Sequence, residues 1–263
     1  MLIEISIENF RSIKKKVCFS LLASSDASNP RNLIETEALK NNEKLLRCAV
    51  IYGANASGKS NVLKAFDTLK YLVLNSGKNF PGAELPYQPF KLDPNYLLKP
   101  TKFEVVFIQK NIEYVYGVAF TKEKIIKEYL YYYPKGRKAI IFERYNTNEY
   151  KFTVDKKIQT NLSKQTSESV LYLSNSAQQN YSKTREVVIW FRDILKIIGP
   201  TDRIPKNITA TLLHDEKYKQ LILKALSVAD FGINDVKSSI ERTVLDVSAQ
   251  TFPKELKLPK GAM

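Results

Sequence analysis

The stretch Cys48–Phe66, CAVIYGANASGKSNVLKAF, decides how the rest of the chain is read. Its centre, Gly53–Ser60, has the form G-x-x-x-x-G-K-S. Gly53 and Gly58 allow tight turns that aim successive backbone N–H groups into one concavity, where the oxygens of a triphosphate fit. In such a loop Lys59 reaches the β- and γ-phosphates as a cation, and the Ser60 hydroxyl ligates Mg²⁺. The flanks agree with this reading. Cys48–Tyr52 is apolar and β-leaning, the pattern of a buried strand. Val62, Phe66, Leu69 and Val73 recur at helical spacing. The loop is therefore expected to end on a helix N-terminus, whose dipole favours phosphate.

The remaining sequence bounds what such a loop can serve. The 263 residues suffice for one large domain or two small ones, and 44% hydrophobic content supports a core. Cys18 and Cys48 are the only cysteines and form no disulfide or zinc pattern, which fits a reducing, cytoplasmic setting. The alternating N-terminus is not a signal peptide, and no apolar run is long enough to span a membrane. Lys and Arg number 41 against 27 Asp and Glu, a net charge of +14. That balance attracts nucleic acid, although the lysines are spread along the chain and also fit a merely Lys-rich surface. The one histidine, His214, precedes Asp215 and Glu216 at an expected helix start. Ser-His and Cys-His nucleophile chemistry is thereby disfavoured.

Around the loop the chain alternates in style. Ile3, Ile5 and Ile7 share one face of a first strand, and Val17, Phe19 and Leu21 one face of a second. Residues 76–100 carry five prolines and read as an irregular excursion. From 101 to about 155, alternating segments around Lys110-Asn111 and Pro134–Gly136 predict an antiparallel layer of about five strands. Its aromatics, among them Tyr114, Tyr116, Tyr129 and Tyr131 to Tyr133, fit strand packing better than base stacking. From about 161 the pattern turns helical. Val187, Val188, Phe191, Ile194 and Leu195 lie on one helix face, which is expected to stop at Gly199-Pro200. A further helix is expected over about 215–229, and one or two strands within "INDVKSSIERTVLDVS". The expected division is a nucleotide-binding lobe over 1–160 and a mainly helical segment over 161–263.

A hydrolysing enzyme of this kind needs an acid after an apolar strand. Asp193 in "VVIWFRD" and Asp246 in "TVLDVS" are the nearest candidates, and neither is followed by a second acid. "VSAQT" and "LSKQT" lack the glycines of an L-S-G-G-Q signature.

The loop Gly53–Asn61, G-x-N-x-S-G-K-S-N, and the opening "IENFRSI" resemble the ABC-type ATPase heads of the SMC, RecF and OLD group. "PFKLD" (Pro89–Asp93), "KEYLYYYPKGR" and "IFERY" look like predicted bacterial and archaeal ATPases encoded near restriction and phage-defence loci. The resemblance implies an α/β P-loop NTPase fold: an ABC-ATPase-head-like N-terminal lobe with an antiparallel β-rich layer, then a helical segment. It implies ATP and Mg²⁺ as ligands, with Gly53, Ala54, Asn55, Ala56, Ser57, Gly58, Lys59, Ser60, Asn61 and Arg11 at the nucleotide. It places a glutamine loop at "SVLYLSNSAQQN", so that Gln178 or Gln179 joins Ser60 at Mg²⁺; a polar helix start reads those residues equally well. In similar proteins two heads sandwich ATP and drive a nuclease or nucleic-acid-handling partner. The signature and the Asp-Glu strand come later in such chains, so this one is expected to be incomplete at its C-terminus. A nucleotide-dependent switch that controls a partner without hydrolysis is the second reading. A small-molecule kinase is a distant third, because no arginine-rich lid stands out.

Overall fold

The computed structural model describes residues 1–25, 28–39, 42–80, 82–199, 202, 206–229 and 233–237. Seven strands form one antiparallel sheet: β1 (Leu2–Glu8), β2 (Val17–Ser20), β5 (Thr101–Gln109), β6 (Ile112–Phe120), β7 (Ile125–Tyr132), β8 (Ala139–Tyr145) and β9 (Glu149–Phe152), in the order β2-β1-β5-β6-β7-β8-β9. The short strands β3 (Leu33–Ile34) and β4 (Leu45–Leu46) pair separately. Lys110 and Asn111 close the β5–β6 hairpin with positive φ at both positions, the geometry that matches strand twist in a two-residue turn. The N-terminal strand joins the layer through long-range pairing, with Ile5 opposite Val105 and Ile7 opposite Phe103.

Alternation decides which face is covered. Ile5, Ile7, Phe103, Val105, Phe107, Tyr116, Val118 and Phe120 point to one side and are buried. Helix α1 (Lys59–Asn75) lies on that side through Phe66, Leu69, Leu72 and Val73. Helices α2 (Lys156–Lys164), α3 (Tyr172–Gln178) and α4 (Ser182–Ile189) complete the layer. The Phe107 ring stacks on Trp190 at 4.1 Å between centroids, and Phe142 meets Tyr172 edge-on at 4.7 Å. This is a mixed α/β fold with a large antiparallel sheet covered by helices.

The division expected near residue 160 instead falls after Ile197. Leu162, Leu171, Tyr172, Leu173, Val187, Trp190 and Phe191 are buried in the same core as the sheet, so α2–α4 cannot be separated from it. The helix begun by α4 passes into a π-helical turn at Trp190–Ile194 and ends there, short of Gly199. The second unit, from residue 198, contains α5 (Lys206–Leu213) and α6 (Glu216–Val228). Asp215 caps α6 by accepting from the Lys217 N–H at 2.9 Å, as its position in the sequence implies, and His214 is exposed beside it. Most of the expected strand region after Ile233, with Asp246, lies outside the described residues.

The strand expected at Cys48–Tyr52 is not formed. Val50 is 64% and Tyr52 87% exposed. A strand is held by backbone partners as much as by its own propensity. Here the Asn32 side chain brackets Cys48, accepting from its N–H at 2.9 Å and donating to its carbonyl at 3.1 Å. Among the described residues no strand pairs with 49–52.

Candidate phosphate-binding site

The loop reaches α1 through left-handed backbone at Ala56 (φ 63°) and Gly58 (φ 96°). Gly58 directly precedes Lys59, the first helical residue, and its conformation is one that a side chain opposes. The Ser57 N–H donates to Ala54 O at 3.2 Å and the Asn61 N–H to Gly58 O at 2.8 Å, closing the turn. Residues Ala56 to Asn61 line a concavity of about 180 Å³. Lys59 Nζ donates to the carbonyls of Gly53 and Ala54, at 2.7 Å each. The cation therefore already lies over the loop, held by weak neutral acceptors that a phosphate oxygen can replace. Ser60 is exposed at the second position of α1 and lines the same concavity as Lys59, so its hydroxyl fits a phosphate-bound Mg²⁺.

The Asn-Phe-Arg turn abuts this loop. Ser12 Oγ accepts from Asn61 Nδ2 at 2.7 Å, and a Cβ at Gly58 would lie 2.8 Å from the same oxygen. Arg11 adopts φ 51°, its N–H donates to Gln88 O at 2.7 Å, and its Nε is buried without a hydrogen-bond partner. Asn9 is wholly buried and structural. Its Nδ2 donates to Tyr96 O (3.0 Å) and Lys99 O (2.6 Å), while its Oδ1 accepts from the Phe90 N–H (2.9 Å). The asparagine of the motif thus pins the proline-rich excursion to β1.

Gln178 and Gln179 are not brought to Ser60. The Gln178 side chain packs on Gly77, within 2.6 Å of where a Cβ would stand. Gly77 lies just past the C-terminal end of α1, about 25 Å along the helix from Ser60. Gln179 Nε2 donates to Asn175 Oδ1 at 3.1 Å within its own helix. Gln178 ends α3 and Gln179 caps its C-terminus, so they are not a polar helix start, and the length of α1 also separates them from a Mg²⁺ site shared with Ser60.

Asp193 likewise stands apart. Arg192 donates to both of its oxygens at 2.8 Å and holds its carboxyl below the usual range. Its neighbour Lys70, whose Nζ donates to Leu195 O at 2.6 Å and whose pKa is lowered by partial burial, lies about 15 Å along α1 from Ser60. Among the described residues no group of three His, Cys, Asp or Glu side chains could hold a metal.

One buried polar node escaped sequence reasoning. Glu128 and Arg144 are both fully buried, 3.7 Å apart. Glu128 accepts from the N–H groups of Tyr172 (2.7 Å) and Leu173 (2.9 Å) and from Tyr116 OH (3.1 Å), so it closes the N-terminus of α3. Arg144 donates to the carbonyls of Val170 (2.7 Å), Ser167 (3.1 Å) and Thr147. Burial pushes the Glu128 carboxyl upward, and Arg144 and the two amides oppose it. The sequence signal was slight: Glu128 follows Lys127 in one strand and Arg144 follows Glu143 in the next, and nothing local marks Glu128 and Arg144 as the buried pair. Of the tyrosines, Tyr114 and Tyr116 are core. Tyr129 and Tyr131 stack on each other at 5.0 Å on the opposite face, their hydroxyls donated to Glu104 and Glu143.

A glycine-hinged loop with a following Lys-Ser at the start of a sheet-packed helix defines a nucleotide-binding domain of the P-loop ATPase type. The chain belongs to the family described as "AAA domain, putative AbiEii toxin, Type IV TA system", whose model matches residues 48–245 and so includes the whole loop. A search of curated proteins finds none that matches. Among the described residues no helix is long and apolar enough to cross a membrane.

Proposed function

We propose that this chain is the ATP-binding portion of an ABC-type ATPase like those of the SMC, RecF and OLD group, coupling ATP binding and hydrolysis to DNA or RNA transactions in genome or phage defence. The observation that carries the reading is the loop Gly53–Asn61, with Lys59 Nζ lying over its carbonyls and Ser60 on the same concavity. The loop N–H groups and the start of α1 receive the phosphates. Lys59 exchanges its two carbonyls for β- and γ-phosphate oxygens, and Arg11, with its unpartnered buried Nε, adds a cation beside them. Ser60 is the side chain that holds Mg²⁺, which when bound neutralises phosphate charge. The family's description, with its toxin–antitoxin setting, supports a defence role. In this reading two copies meet head to head in the cytoplasm and act on a nuclease or other effector.

The second reading, a switch that binds nucleotide and controls a partner without hydrolysis, is favoured by one observation: Asp193 is paired with Arg192 and neighbours Lys70, which is about 15 Å along α1 from Ser60. Titration calorimetry with Mg-ATP, with phosphate release followed in the same samples, separates the two. Binding that disappears in Lys59→Ala supports the phosphate site. Turnover once a second component or further chain is supplied supports the ATPase, and nucleotide-dependent partner binding without turnover supports the switch. A parent chain that binds no Mg-ATP refutes both.

A further inference from the structure

The phosphate loop and the Asn9–Ser12 turn touch at one side chain. Ser12 Oγ accepts from Asn61 Nδ2 at 2.7 Å and occupies the space that a Cβ on Gly58 would need. Ser12 is exposed, so its hydroxyl is not held there by core packing. The turn that carries it is stiff. Asn9 and Arg11 both have left-handed backbone, and Phe10 and Ile13 exchange backbone hydrogen bonds at 2.9 and 2.8 Å. Its far side is fixed to the excursion through Asn9 and through the Arg11 N–H on Gln88 O, and to the start of β5 through Thr101 Oγ1, which donates to Asn9 O at 2.7 Å. That excursion presents Leu92 and Leu98, 88% and 91% exposed, between Lys91 and Lys99.

We infer that Ser12 is a positioning residue for the phosphate loop, and that the Asn9–Ser12 turn carries nucleotide occupancy to the leucine-bearing loop Phe90–Lys99. The inference rests on the phosphate-site reading above. When Lys59 gives up Gly53 O and Ala54 O for phosphate, the rearranging segment is the loop–helix junction on which Ser12 is seated. A stiff turn hydrogen-bonded at both ends moves as a unit, so a shift at Asn61 reaches the backbone of residues 88–99. The exposed leucines then form the surface whose presentation depends on nucleotide.

The test compares the parent chain with Ser12→Ala, Ser12→Thr, Asn61→Ala and Lys59→Ala. Mg-ATP affinity is measured by calorimetry, and hydrogen exchange of peptides covering 88–100 is measured with and without saturating Mg-ATP. Losing one hydrogen bond to the junction predicts affinity about 3- to 10-fold weaker in Ser12→Ala and in Asn61→Ala, with unchanged melting temperature. The parent shows a nucleotide-dependent change in exchange at 88–100. Ser12→Ala at saturation loses at least half of it, and Ser12→Thr restores both effects. Parent-like affinity in both Ser12→Ala and Asn61→Ala overturns the positioning role. A full 88–100 response in saturated Ser12→Ala overturns the relay. If the parent binds no Mg-ATP, the phosphate-site reading itself fails; if only Lys59→Ala loses binding, that reading stands and this inference alone falls.

Discussion

Replacing Glu128 by Ala tests whether the sheet and α3 depend on the buried charge node. The carboxylate has no exposed surface, and it receives two amide N–H groups, one phenol and a guanidinium 3.7 Å away. The alanine variant leaves the Arg144 charge buried without its counter-ion and leaves the first N–H groups of α3 unpaired. Breaking a buried pair from one side costs about 3–5 kcal/mol, with no solvent screening to discount. That is a large share of a total stability of about 5–15 kcal/mol. At a urea slope of about 2 kcal/mol/M the midpoint falls by roughly 1.5–2.5 M. Removing both charges together, as Glu128→Leu with Arg144→Met, costs less than either single change, because neither ion is then stranded. Urea unfolding followed by circular dichroism reads the parent, the three single variants and the double variant. The sign with pH also follows. Burial raises the folded carboxyl above its unfolded value of 4.5, and Arg144 is the largest influence opposing that rise. In Arg144→Met the raised group contributes stability that is complete below pH 4.5. That contribution is lost as pH climbs through the folded value, so this variant weakens as pH rises above 4.5. A Glu128→Ala cost below about 1 kcal/mol, or a double variant worse than the sum of the singles, refutes the stranded-charge reasoning.

Three other outcomes follow from the site. Asn9→Ala removes the side-chain donor and acceptor that Asn9 gives the 88–100 excursion, and should lower stability by about 2–3 kcal/mol in the same urea assay while speeding hydrogen exchange in that excursion first. Gly58→Ala meets left-handed backbone and Ser12 Oγ at 2.8 Å; it should cost about 1–2 kcal/mol and weaken Mg-ATP in calorimetry, whereas parent-like affinity would show that the loop tolerates another junction. Gln178→Ala and Gln179→Ala should leave Mg-ATP affinity within about 2-fold of the parent, since about 25 Å of helix separates them from Ser60; a 10-fold loss in either would mean that α3 reaches the phosphate site in another state.

The features legible in the sequence are those set by local chemistry. Strand alternation placed Ile5, Ile7, Phe103 and Val105 on one face, and the Lys110-Asn111 pair closed its hairpin where turn geometry requires. The spacing of Phe66, Leu69 and Val73 gave α1 its buried stripe, and the G-x-x-x-x-G-K-S order put Lys59 at the start of that helix. Features that depend on distant parts of the chain were not legible. Nothing local to "SAQQN" reports that α3 ends at the far end of α1, so the glutamines read the same whether or not they reach a metal. Nothing local to "IENFRSI" separates its residues by role. The asparagine proves to hold a loop, the serine touches Asn61, and the arginine alone keeps an unpartnered buried nitrogen.

Cys48–Tyr52 shows the same limit from the other side. Its composition is that of a strand, yet propensity for β structure is largely a statement about neighbours: side chains suit a pleated, half-buried surface only when that surface exists. At Cys48 a side chain supplies both backbone hydrogen bonds, in place of a partner strand. From Ala49 onward no strand among the described residues takes over, and Val50, Ile51 and Tyr52 face outward. The phosphate loop is therefore held on its helical side by α1 and the one Ser12 hydrogen bond, and on the side where it enters by no strand among the described residues. A loop held in that way can keep Lys59 on its own carbonyls and still exchange them for phosphate, because the junction that must move is braced by one hydrogen bond rather than by a sheet.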